Sequence, residues 1–158
     1  MRKLLTVACL LMSILLISCS QDNDDVNPPP TPPVDVLALL TAHTWKMEEI
    51  IQVENNTRIY YKRGGNTNTN NYDNDKLTFL ADGTGTYSPT PAQNLPMTWQ
   101  FTNAAKSSLD LNINFGGGNF KLLKLTSLSL TENSFFCVTS FVNDLGNPVL
   151  SSVLRTPL

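Results

Sequence analysis

The chain has 158 residues, of which 41% are hydrophobic and 15% are charged, and its formal net charge is −2. This composition is typical of a globular protein with one hydrophobic core, and the chain is too short for two such cores. The mildly acidic balance argues against the clustered basic surface on which nucleic-acid binding depends. We therefore expect no nucleic-acid partner.

The N-terminus has the three zones of a secretory signal peptide, predicted over residues 1–18. After a positively charged start, the mainly apolar run Leu4–Ile17 is too short for a spanning helix, which needs about 20 apolar residues. The segment Leu16–Cys19 resembles the lipobox of bacterial lipoproteins. The resemblance implies cleavage before Cys19 and acyl groups on that cysteine, which would anchor the protein in the cell envelope as an outer-membrane lipoprotein.

A tether is predicted over residues 19–34. Its proline-rich part, Pro28–Pro33, favours an extended and semi-rigid polyproline II spacer. The acidic residues Asp22, Asp24 and Asp25 resemble the surface-export signal of some Gram-negative lipoproteins, and the alternative is a simple solvated tether. The first interpretation predicts a surface-exposed protein.

Cysteine usage agrees with this processing. Cys9 leaves with the signal peptide and Cys19 is acylated, so Cys137 is the cysteine that remains in the folded domain. No intramolecular disulfide can then form. Because Cys137 lies in the apolar run Phe135–Val138, we expect an inert and buried thiol.

The folded domain is predicted over residues 35–158 and begins with a short helix. Asp35 is a suitable N-cap for a helix over Val36–Ala42, and the apolar faces of this helix predict contact with the core. Period-two alternation then places four apolar residues on one face of a first strand: Trp45, Met47, Ile51 and Val53. Arg58–Lys62 is the predicted return strand.

The middle of the chain alternates between polar loops and strands. The segment Arg63–Asp75 predicts a long loop at the rim of a sheet or barrel, since it has too few apolar residues to pack by itself. Asp82-Gly83 predicts a tight hairpin between strands Lys76–Leu80 and Thr84–Ser88, because glycine supplies the positive φ. The remaining predicted strands are Met97–Phe101, Leu109–Phe115, Phe120–Leu125, Leu128–Leu130, Phe135–Val142 and Val149–Leu154. This series of about eight strands predicts an all-β fold, either an antiparallel up-and-down barrel or a β-sandwich.

Four segments carry a family resemblance: Leu40–Trp45, Leu77–Tyr87, Trp99–Phe101 and Leu122–Leu130. Their order resembles that of the small lipocalin-like lipoproteins of Gram-negative bacteria, although His43 stands where the lipocalin pattern prefers glycine. The resemblance implies a lipocalin-like barrel with an apolar interior and one end closed by the helix and the strand tryptophan. It also implies that the barrel holds a small hydrophobic ligand or is filled by its own side chains.

Large side chains inside the predicted barrel are candidate ligand contacts, with plain core packing as the alternative: Trp45, Met47, Tyr87, Trp99 and Phe101. Glu49 is a local anomaly, because strict alternation places its carboxylate on the apolar face of the first strand. A bulge near Ile50-Ile51 would return Glu49 to solvent, whereas an inward Glu49 would be a polar anchor for a ligand.

The sequence contains no recognisable catalytic constellation. His43 is the single histidine, so it cannot build a zinc site by itself, and a serine-based triad would have to use it as its only base. We therefore expect no enzyme activity, no metal and no cofactor. Two functions remain: a non-catalytic binding module for a small hydrophobic ligand, and a structural or protein-interaction subunit of a cell-envelope assembly.

Overall fold

The computed structural model describes residues 34–158. Residues 1–33, which include the predicted signal peptide, Cys19 and nearly all of the predicted tether, lie outside the described residues. The elements of the described part are α1 (Val36–Thr41), β1 (Thr44–Glu54), β2 (Thr57–Lys62), β3 (Lys76–Phe79), β4 (Thr84–Thr90), β5 (Gln93–Phe101), β6 (Leu109–Gly116), β7 (Asn119–Leu130), β8 (Phe135–Val142) and β9 (Pro148–Pro157). The all-β prediction with one short N-terminal helix is confirmed.

The strands form a closed barrel. From β3 to β9 each strand pairs in antiparallel fashion with the next one along the chain, and β1 completes the ring by pairing with both β3 and β9. The seam between β1 and β9 is long, running from Trp45 opposite Pro157 to Glu54 opposite Val149. The architecture is therefore an eight-stranded, up-and-down, lipocalin-like barrel, and the β-sandwich alternative is wrong.

Strand β2 is an addition to this barrel. Along one edge of β1, residues 44–46 pair with β3 and residues 49–54 pair with β2, so the loop between β2 and β3 interrupts a single line of pairing. Within this loop, side-chain oxygens of Asn68 and Thr69 accept hydrogen bonds from the backbone N–H groups of Lys62 and Tyr60. The predicted rim loop thus covers the outer edge of β2, where unpaired backbone groups would otherwise face solvent.

Helix α1 lies at one end of the barrel. The Asp35 carboxylate caps it by accepting hydrogen bonds from the backbone N–H groups of Leu37 and Ala38, as the sequence predicts. Leu40 is fully buried, and its carbonyl oxygen accepts a hydrogen bond of 2.8 Å from the indole of Trp45. This contact joins the helix to the first residues of β1 and closes that end.

An aromatic layer fills the closed end. Phe135 packs edge-on against Trp45 at a centroid distance of 5.6 Å and against Phe79 at 6.0 Å. Trp99 packs against Phe79 at 5.6 Å, and Phe101 against Trp99 at 5.4 Å. Edge-to-face pairs at these distances add to the stabilisation that burial already provides.

A bulge in β1 corrects the predicted face of its second half. The β1–β9 register shifts between Met47 and Glu49, so the inward alternation continues at Ile50, which is buried. Ile51 and Val53 were predicted on the same face as Trp45 and Met47, and this prediction is wrong: beyond the bulge they lie on the outer face, where 49% of Val53 is exposed.

Strand β7 also contains an irregularity. The sequence predicts two short strands, Phe120–Leu125 and Leu128–Leu130, and the structure joins them in one strand whose register with β8 shifts between Thr126 and Ser129. Ser127 lies within this shift and has a φ of +53°.

The predicted hairpin turn at Asp82-Gly83 is confirmed, with Gly83 at a φ of +84°.

Candidate binding cavity

The barrel contains a cavity of about 420 Å³. Its residues run from the level of Asp75 and Arg155, just above the aromatic layer, to the level of Gln52 and Phe141, toward the end of the barrel away from α1. The middle wall is largely apolar and comprises Ile50, Leu77, Leu111, Ile113, Leu123, Leu125, Cys137 and Val153.

A buried ion pair forms the floor of the cavity. A guanidinium nitrogen of Arg155, Nη2, lies 2.6 Å from Oδ1 of Asp75, and both side chains are almost fully buried. The hydroxyl of Tyr87 donates to the other carboxylate oxygen, Oδ2, at 2.8 Å. Nη1 of Arg155 donates to the carbonyl oxygen of Trp45 at 3.2 Å. Burial and the negative charge of Asp75 raise the pKa of Tyr87, so its hydroxyl stays protonated and acts as a donor.

This floor is neutral overall and rich in donors. Both oxygens of Asp75 accept strong hydrogen bonds, one from Arg155 and one from Tyr87. A guanidinium has five N–H groups, and Arg155 uses Nη1 and Nη2 for its two acceptors within residues 34–158. The positive charge of Arg155 is therefore matched, while part of its donor capacity remains for water or a ligand.

The thiol of Cys137 belongs to the apolar wall. It is free and buried, as expected from its sequence surroundings. Burial raises the pKa of Cys137 to about 12, so the thiolate is negligible near neutral pH. At this position the side chain acts as a small hydrophobic group.

The end of the barrel away from α1 is the open end and forms the mouth of the cavity, which is more polar and carries one cation. Ser151 and Gln52 share a hydrogen bond of 3.3 Å just inside it. Lys121 lines the cavity from β7, and its Nζ lies 3.8 Å from the ring centroid of Phe141. Lys121 is partly buried, and this burial lowers the pKa of its ammonium group.

The structure separates the predicted ligand contacts into two groups. Tyr87 lines the cavity. Four others lie outside its lining, in or beside the aromatic layer of the closed end: Trp45, Met47, Trp99 and Phe101. Glu49 also lies outside the lining, because the bulge before it directs its side chain to the outer face. That bulge begins at Met47, earlier than the predicted position at Ile50-Ile51.

Sequence reasoning missed three charged residues of the cavity: Asp75, Lys121 and Arg155. For two of them, the alternation of apolar and polar residues that drew attention to Glu49 could also have indicated an inward side chain. Lys121 precedes the inward residues Leu123 and Leu125 at period two, and Arg155 follows Val153 in the same way. Asp75 had no such signal, since it ends an aperiodic loop.

Other kinds of site find no support in the part of the chain that the structure describes. Over residues 34–158, no group of three or more His, Cys, Asp or Glu side chains is placed to hold a metal ion. His43 packs edge-on against Trp45, with 5.5 Å between the ring centroids. No helix within the same residues is long and apolar enough to cross a membrane.

Comparison with known proteins gives no independent indication of function. No protein-family model matches the chain, and neither a curated protein nor a solved structure matches it significantly.

Proposed function

We propose that the protein is a non-catalytic binding module that holds a small hydrophobic molecule inside its barrel. The observation that carries the proposal is the cavity of about 420 Å³ between the ion-paired floor and the mouth. Ligand pockets are typically about 300–1,000 Å³, mostly apolar, with a few convergent polar groups. The apolar middle wall and the polar groups at its two ends fit this description.

Four ionisable groups of the cavity wall and floor support a binding role over a catalytic one. Asp75 and Arg155 are engaged with each other, and Tyr87 is held as a donor to Asp75. Cys137 stays protonated because it is buried. A nucleophile or general base needs a free and correctly charged group in reach of the substrate, and these four residues do not offer one.

The proposed binding function is tested by a substitution that fills the cavity with a larger side chain. Leu123 lines the cavity, while its neighbour Leu122 lies on the outer face of the same strand and is 48% exposed. We expect Leu123→Trp to abolish retention of apolar compounds that co-purify with the protein, and Leu122→Trp to leave retention unchanged. The measurement is native mass spectrometry with organic extraction, after thermal unfolding has shown both variants to be folded. Equal retention by the two variants would contradict the proposal.

We further propose that the barrel is attached to the outer membrane through acyl groups on Cys19. The support is the lipobox-like segment Leu16–Cys19 and the proline-rich tether that follows it. Cys19→Ala should abolish metabolic labelling with palmitate and release the protein from membranes. Label retained on this variant would refute lipidation at Cys19.

A second candidate function is that of an interaction subunit of a cell-envelope assembly. It is favoured by large apolar side chains that lie exposed on the strands and turns near the open end: Val53, Phe120, Val142, Leu145 and Leu150. Exposed apolar groups of this kind are typical of protein contacts. Cross-linking in whole cells that recovers a strictly monomeric protein would count against this function.

A further inference from the structure

Lys121 occupies an unusual position for a lysine. On β7 it lies opposite the buried Ile113 of β6, so the pairing register turns its side chain to the interior face of the barrel. It lines both the internal cavity and a groove on the outer face near the open end, whose lining includes Val53, Phe120 and Leu150. The ammonium group therefore lies where the cavity meets solvent.

This cation has no close anionic partner within residues 34–158, where no carboxylate comes within 4.0 Å of it. Glu54 and Asp144 are the acids whose charges act on Lys121. Glu54 accepts hydrogen bonds from Asn143 and Gln52, and Asp144 is exposed on the β8–β9 turn. Neither acid compensates Lys121 in the way that Asp75 compensates Arg155.

The two ends of the cavity thus differ in charge. Three charged residues line it: Asp75, Arg155 and Lys121. The charges of Asp75 and Arg155 cancel at the floor, so the floor has no net charge that would attract an ionic ligand. Lys121 at the mouth is the cation without an ion-pair partner, and it is partly buried with its Nζ over the ring of Phe141. An anion placed beside it would regain electrostatic stabilisation that burial removes.

We propose that the cavity binds an anionic amphiphile with one aliphatic chain, with the chain inside the barrel and the anionic headgroup beside Lys121. This inference rests on the proposed binding function and adds the chemical class and the orientation of the ligand. The cavity of about 420 Å³ is near the lower end of the usual range for ligand pockets, which favours a single chain over a lipid with two chains.

The test compares three probes that share one alkyl chain and differ in headgroup charge: decanoate, decanol and decyltrimethylammonium. Binding is measured by calorimetry on the full chain carrying Cys19→Ala, so that no acyl group of the protein can occupy the cavity. We expect decanoate to bind about tenfold more tightly than decanol, because a charge-assisted contact is stronger than a neutral one, and decyltrimethylammonium to bind most weakly.

Two matched variants assign the preference to Lys121. Lys121→Met keeps the apolar stem and removes the charge, and we expect it to weaken decanoate binding about tenfold while decanol binding stays unchanged. Lys124 lies exposed on the outer face of the same strand. Lys124→Met should therefore leave the affinity for all three probes unchanged.

The outcomes separate the two proposals. Equal affinity for decanoate and decanol, or unchanged decanoate binding by Lys121→Met, would overturn the role of Lys121 and leave the cavity proposal standing. Tightest binding of decyltrimethylammonium would do the same. If none of the probes binds to the unmodified cavity or to either lysine variant, both proposals are overturned.

Discussion

At the scale of single residues, the ion pair between Asp75 and Arg155 is the most consequential feature of the interior. Its members are 80 positions apart in the chain, and they meet at 2.6 Å above the aromatic layer. Removing two charges from water is costly, and their mutual attraction offsets this cost only when further hydrogen bonds complete the geometry. Tyr87 and the carbonyl oxygen of Trp45 supply those hydrogen bonds.

We therefore predict strong coupling between these two residues. Asp75→Asn should lower the free energy of unfolding by about 3–5 kcal/mol, because it leaves the Arg155 charge buried without compensation. The double variant Asp75→Asn/Arg155→Met should lose less than the sum of the two single variants. Denaturation by guanidinium chloride measures all four proteins, and additive losses would show that the pair is not coupled.

The sequence drew attention to Glu49, and not to Asp75, as a carboxylate that could point into the barrel, and the reason is physical. Glu49 was suspected because it interrupts an apolar alternation, yet a bulge directs it outward. Asp75 was assigned to a polar loop, where no periodicity indicates which way a side chain points. What buries Asp75 is its partner Arg155, a residue just past the predicted end of the last strand at Leu154. Local pattern carries no information about such a distant partner.

At the scale of elements, features that depend on neighbouring residues were predictable. The N-cap at Asp35, the hairpin at Asp82-Gly83 and most strand positions follow from local hydrogen bonding, φ preference and alternation. The bulge in β1 was misplaced and the irregularity in β7 was missed. A bulge is defined by the register between two strands, so a single strand's sequence does not determine where the extra residue lies.

Strand β4 contains a glycine whose role is steric. A Cβ atom added to Gly85 would clash with the backbone carbonyl of Thr78 on β3 and would lie 2.6 Å from the terminal methyl of Met97 on β5. We predict that Gly85→Ala destabilises the protein by about 1–3 kcal/mol, because backbone and core side chains must move to accept the methyl group. Chemical denaturation gives the value, with Thr86→Ala on the same strand as control. A change below that of the control would contradict the steric argument.

At the scale of the whole molecule, closure of the sheet distinguishes this fold from its predicted alternative. Barrels and sandwiches share the same alternation along each strand, so the sequence alone left both open. The difference lies in the seam between β1 and β9, which joins the first and last strands of the domain. Closure also creates the interior in which the ion-paired floor and the cavity of the proposed function are found.

The seam predicts a particular order of amide hydrogen exchange. Strand β9 pairs with β1 on one side and β8 on the other, so its amides become exposed only when the barrel opens. Strand β2 pairs with β1 alone, and its outer edge is covered by loop side chains such as Asn68. Exchange measured by mass spectrometry should therefore be at least about tenfold slower over residues 148–157 than over residues 57–62.

A variant tests the role of the loop: Asn68→Ala should accelerate exchange in β2 and leave exchange in β9 unchanged. If β9 exchanges as fast as β2, the seam opens while the other strands stay paired, and the predicted order of exchange is wrong.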